Sequence, residues 1–77
     1  MVKISKYSEF LKEKITSTEY GVTASFFEEN GNIYIVDDTH KIPFEFAYKD
    51  EWYEMGIVAA TQLLNVTLMI EHSKRGN

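Results

Sequence analysis

Seventy-seven residues, about half of a typical domain, leave no room for two independent folds. A hydrophobic share of 44%, with five Phe, five Tyr and one Trp, suffices for a packed core and argues against wholesale disorder. With no cysteine, disulfides, Cys-bound zinc, iron–sulfur clusters and thiol catalysis are excluded, and a formal charge of −4 describes a small acidic domain.

The segment Met1 to Glu9 carries positive charge but no apolar run after it, so no export signal is expected and a cytoplasmic location follows. Residues 4–16 predict a helix. Ile4, Tyr7, Leu11 and Ile15 recur at spacings of three and four, with Phe10 widening the stripe. Lys3, Lys6, Glu9, Lys12 and Glu13 take the other face, Ser5 is the expected N-cap, and Thr16-Ser17-Thr18 ends the helix.

From Val22 the period changes to two. Val22 to Phe27 and Ile33 to Val36 predict strands joined at Asn30-Gly31, because both central residues of a type I′ turn need positive φ. That tip pairs Glu29 with Asn32, Phe27 with Tyr34, and Phe26 with Ile35. Val22, Ala24, Phe26, Ile33 and Ile35 then share one face, and Thr23, Ser25, Phe27, Tyr34 and Val36 the other. After a turn at Asp37-Asp38-Thr39-His40-Lys41, Ile42 to Tyr48 predicts a third strand with Ile42, Phe44 and Phe46 on one side. Pro43 places it at a sheet edge.

Asp50 is the expected N-cap of a second helix, with Trp52, Tyr53, Gly56, Ile57, Ala60, Leu63 and Leu64 as its apolar face. Val66 to Glu71 alternates and is rich in β-branched residues, so a short fourth strand is expected after an αL stop at Asn65; continuation of the helix is the alternative. The longest apolar stretch, Gly56 to Leu68, is interrupted by Thr61, Gln62, Asn65 and Thr67, and is short of the roughly 20 residues that cross a bilayer. Residues 73–77 read as a polar tail. The expected architecture is thus one α+β domain over 1–77: an N-terminal helix, a three-stranded antiparallel β-meander, a second helix and a short C-terminal strand.

No residue pattern predicts catalysis. His40 and His72 lack a metal-ligand spacing, Asp37-Asp38 lacks the oxygen ligands of a calcium loop, and no G-x-S-x-G elbow surrounds a serine. The glutamate pairs Glu28–Glu29 and Glu51–Glu54 read as solvated positions, and the four glycines never cluster into a phosphate cradle. Neither a cofactor nor a metal is expected. The order helix, three strands, helix also occurs in double-stranded RNA-binding domains, but their second helix begins with basic residues. Here Lys49 to Glu54 is acidic, so the shared order predicts no RNA binding.

Charge is segregated. Residues 1–14 hold four lysines against Glu9 and Glu13, whereas residues 19–54 hold nine acids against Lys41 and Lys49. Phe27, Tyr34 and Val36, ringed by Glu29, Asp38 and Glu45, are the candidate partner-binding residues, because an aromatic patch with a polar rim is the anatomy of an interface. The expected function is a non-catalytic protein-binding domain, an adaptor or inhibitor of a larger, basic partner such as one that handles nucleic acid. A self-associating homodimeric accessory domain is the alternative, ahead of nucleic-acid binding through the basic first helix.

Overall fold

The computed structural model describes residues 6–75. In chain order the elements are α1 (Lys6–Lys12), β1 (Lys14–Thr16), β2 (Thr23–Glu29), β3 (Asn32–Val36), β4 (Lys41–Phe44), a 3-10 turn (Asp50–Trp52) and α2 (Tyr53–Arg75). The fold is α+β, with one antiparallel sheet in the order β1-β2-β3-β4.

The hairpin forms as its turn chemistry dictates. Asn30 (φ 54°) and Gly31 (φ 81°) both occupy the left-handed region, and the pairs Glu29↔Asn32, Phe27↔Tyr34 and Phe26↔Ile35 follow. β4 pairs with β3 through Ile35↔Ile42 and Ile33↔Phe44. Pro43, opposite Tyr34, lies on this edge strand, where its missing N–H leaves no ladder bond unmade.

Three expectations fail at element ends: the strand expected over Ile42 to Tyr48 stops at Phe44, and the chain leaves the ladder there. The first helix stops at Lys12, and Lys14–Thr16 becomes an edge strand against β2, with Ile15 opposite Ala24. Ile15 is buried here at 3% exposure, and the strand satisfies backbone groups that the edge of β2 would otherwise leave open. Ile4 and Ser5, the expected start and N-cap of that helix, lie outside the described residues.

At the other end, residues 66–71 form no strand; α2 runs through them and on through Ser73 and Lys74. Leu68 is buried at 4% exposure one helical step beyond Ala60 and Leu64, both 0%, whereas an alternating strand would have buried Val66 and Ile70 with it. The β-branched threonines adapt to the helix: the Thr61 and Thr67 hydroxyls donate to the carbonyls of Ile57 and Leu63, each at 2.9 Å. The expected N-cap is displaced by one residue. Lys49 occupies the cap position without a side-chain bond, and Trp52 N–H donates to its carbonyl at 2.8 Å. From Asp50 to Lys74 the helical segment spans 25 residues with a mean hydropathy of 1.3 in its most apolar window, long and apolar enough by length and composition to cross a membrane. This corrects the shorter apolar stretch read from the sequence.

Both helices pack on the same face of the sheet. Phe10 is the hub: its ring stacks on Phe26 at 4.6 Å between centroids and meets Tyr48 at 5.2 Å and the edge of Tyr53 at 5.7 Å. α2 approaches this cluster at Gly56, where a Cβ would lie 2.8 Å from Phe10 and 2.9 Å from Phe46. Only glycine permits that contact. Ile15, Ala24, Ile33, Ile35 and Phe44 complete the core against Ala60, Leu64 and Leu68.

Candidate functional site: the open face of the sheet

Because α1 and α2 share one face, the opposite face has no covering element among the described residues. Register places its side chains in rows: Lys14, Ser25, Val36 and Lys41 in one, and Phe27, Tyr34 and Pro43 in the next. Glu29 and Asn32 lie toward the hairpin tip. Phe27 is 43% exposed, and Tyr34 and Val36 are half-buried. An open depression lined by Gly31, Asn32, Tyr34, Pro43 and Glu45 continues the face past β4. Asp38 is exposed in the turn after β3, at the end remote from the tip.

Two residues that the sequence reading did not assign to the patch shape this surface. The Lys41 ammonium sits 4.7 Å from the Tyr34 ring centroid and 5.5 Å from that of Phe27, and donates to Glu29 Oε1 at 3.1 Å. Pro43 extends the aromatic row. Both follow from pairing position 41 with Val36 across the second turn, a register that the sequence reading did not carry past His40. Lys41 and Glu29 are each about half exposed (49% and 47%), so their ion pair contributes at most about 1 kcal/mol and yields readily to a better partner. A displaceable cation thus lies over Phe27 and Tyr34.

A second cluster lies where the β3–β4 turn meets α2. Asp37 Oδ1 accepts the Thr39 and His40 N–H groups at 2.7 and 2.8 Å, and its carboxylate holds His40 Nδ1. His40 Nε2 meets Glu71 Oε2 of α2. His40 is thus a half-buried bridge between carboxylates, not a free surface residue. Its hydrogen bonds to Glu71 and Asp37 raise its pKa above 6.5 despite opposing burial. Burial alone would raise the Asp37 carboxyl, but the hydrogen bonds from Thr39 and His40 outweigh it and hold the group below 3.8. With Asp37, His40 and Glu71, His72 lines a second open depression, and its ring stacks on Tyr20, 4.5 Å between centroids. Among the described residues, no group of three or more His, Cys, Asp or Glu is arranged to hold a metal ion.

Near α1, the Tyr7 hydroxyl donates to Glu28 Oε2 at 2.6 Å and the Tyr53 hydroxyl to Glu13 Oε1 at 2.9 Å. Burial, then the adjacent carboxylate, pushes each phenol up to about 12. These bonds tie α1 to the sheet and to α2.

The chain matches no protein-family model, no curated protein and no solved structure.

Proposed function

We propose that this is a non-catalytic protein-binding domain whose open sheet face docks a larger protein with a basic surface. The observation that carries the reading is the row Phe27–Tyr34–Pro43, exposed at Phe27 and Pro43 and half-buried at Tyr34, on a sheet whose two helices lie behind it. Aromatic side chains at the centre of an interface carry most of its energy once water is excluded. Glu29, Glu45 and Asp38 are all exposed and would supply an acidic rim, and the chain's −4 charge would steer a basic partner. On docking, a lysine or arginine of the partner replaces Lys41 on Glu29. An adaptor or an inhibitor would both use this surface in that way.

The test is capture from the source cell with the wild-type chain and with Phe27→Ala/Tyr34→Ala, followed by binding kinetics on the protein that only the wild type retains. Tyr34→Ala is expected to raise its dissociation rate, whereas Glu29→Lys with Glu45→Lys slows association and flattens its salt dependence. Recovery of the same proteins by both chains, or an acidic captured partner, overturns the reading.

A further inference from the structure

The side of α2 that faces away from the sheet lacks the charges that a solvated helix face carries. Met55 to Ile70 is sixteen residues without a charged side chain. Ala60, Leu64 and Leu68 use the inner side of that stretch for the core. On the outer side Met55 (58%), Val58 (56%), Val66 (46%), Met69 (48%) and Ile70 (49%) are all exposed. Met55, Val58, Gln62, Val66 and Met69, all exposed, recur at three, four, four and three, the spacing of a helix–helix seam. The stripe runs about 24 Å along the helix, far more than scattered surface residues would give.

The charges at its two ends are opposite. Asp50, Glu51 and Glu54, all exposed, stand at the start of the helical segment, and Lys74, also exposed, stands in its last turn beside Arg75 in sequence. Glu71 is turned to His40 and so is drawn toward the sheet. We propose that this outer face of α2 is a homodimer interface, on which a second copy of the chain docks with its α2 antiparallel. Antiparallel pairing centred between Gln62 and Leu63 sets Met55 at the level of Ile70 and Ala59 at that of Val66. It also sets Glu51 at the level of Lys74 and aligns the two helix dipoles head to tail. A parallel pair would stack acid on acid at one end. Gln62, the one strongly polar side chain on the stripe, falls beside the two-fold axis, where an amide donates to and accepts from its own copy. The resulting layers are sheet, helix, helix, sheet, with the two open sheet faces outward on opposite sides. The inference uses a different surface from the proposed partner-binding face and goes beyond it, making the domain bivalent.

Light scattering with sedimentation equilibrium on the purified chain tests this. The expected mass is twice the 9.0 kDa of one chain. Val66→Glu and, independently, Met55→Lys should weaken the dimer by at least about a hundredfold, since each dimer then buries two unpaired charges, one on each copy. Glu51→Lys should weaken it by roughly tenfold, and Glu51→Lys with Lys74→Glu should restore it. Phe27→Ala should leave the dimer intact. A single-chain mass at about 100 μM overturns the inference. So does a dimer that survives both Val66→Glu and Met55→Lys, or one lost in Phe27→Ala, which would place the interface on the sheet. Co-flotation of the wild-type chain with phosphatidylcholine vesicles, abolished by Val66→Glu, would assign the stripe to a bilayer instead and overturn it as well.

Discussion

The two ends of α2 are held to the sheet by different physics. At the N-terminal end, Gly56 lets the helix sink onto Phe10 and Phe46, and the contacts are ring against ring. Toward the C-terminal end polar contacts join the packing of Leu64 and Leu68. Ser17, 2% exposed, donates to Asn65 Oδ1 at 2.5 Å, Asn65 Nδ2 donates to Thr18 Oγ1 at 3.1 Å, and His40 bridges Asp37 to Glu71. Apolar packing is tolerant of chemistry but intolerant of lost volume. Polar contacts are intolerant of a missing partner and, where histidine is involved, answer to pH. One helix therefore carries a firm end and a conditional end.

The largest expected effect breaks the firm end. Phe10 is fully buried and touches Phe26, Phe46, Tyr48 and Tyr53, so Phe10→Ala should destabilise the fold by about 3–5 kcal/mol. In so small a domain that leaves little or no folded population, while Phe10→Leu should retain a cooperative transition at lower denaturant. Urea unfolding followed by far-UV circular dichroism measures both. Loss of less than about 1 kcal/mol in Phe10→Ala would show that the ring cluster is not what holds α1 and α2 together.

The two ends also differ in how far the sequence announces them. Phe10, Phe26, Phe44, Phe46 and Gly56 all lie on apolar stripes of correct period, and the hairpin that aligns them is written in Asn30-Gly31. The polar end is written in residues whose local preference points elsewhere. Ser17 reads as a helix terminator and becomes the centre of the β1–β2 turn, where its hydroxyl accepts Tyr20 N–H at 3.0 Å and its carbonyl accepts Gly21 N–H at 3.0 Å. Asn65 reads as an αL stop and sits inside the helix because Ser17, forty-eight residues away, supplies its partner. Local propensity is overridden there by a contact that no window of sequence contains. The open face is intermediate: Phe27, Tyr34 and Val36 follow from strand alternation, but Lys41 over them required the register of a second turn.

A middle-sized effect separates the ends. Asn65→Ala leaves the Ser17 hydroxyl without its acceptor inside the fold, and should cost about 1–3 kcal/mol. Removing both partners, as Ser17→Ala with Asn65→Leu, should recover part of that loss, because an unmade bond is worse than none. Denaturant titrations of Ser17→Ala, Asn65→Leu and the double variant give the coupling directly. Strict additivity of the two substitutions would mean that the bond contributes nothing and that only volume matters at this end.

The smallest effect is the one that pH controls, and its sign is fixed by the cluster around His40. Hydrogen bonds to Glu71 and Asp37 raise the folded pKa of His40 above its ordinary 6.5. A raised histidine contributes stability that is fully present below 6.5 and is lost as pH climbs through the folded value. Asp37 is shifted the opposite way, below 3.8, so its contribution is present above 3.8 and disappears only as pH falls through the lower folded value. Between those limits both act together. Tyr7 and Tyr53, pushed up to about 12, respond only above the ordinary phenol value of 10 and do not enter this window. The melting temperature should therefore be higher at about pH 5.5 than at about pH 8.5, by less than the loss in Asn65→Ala. His40→Asn should remove most of the difference, and Glu71→Gln should reduce it while sparing the Asp37 part. Phe10→Leu, at the other end of the helix, should melt lower at both pH values and keep the full difference. Were His40→Asn to retain the wild-type pH dependence, the bridge from Asp37 through His40 to Glu71 would not be its source.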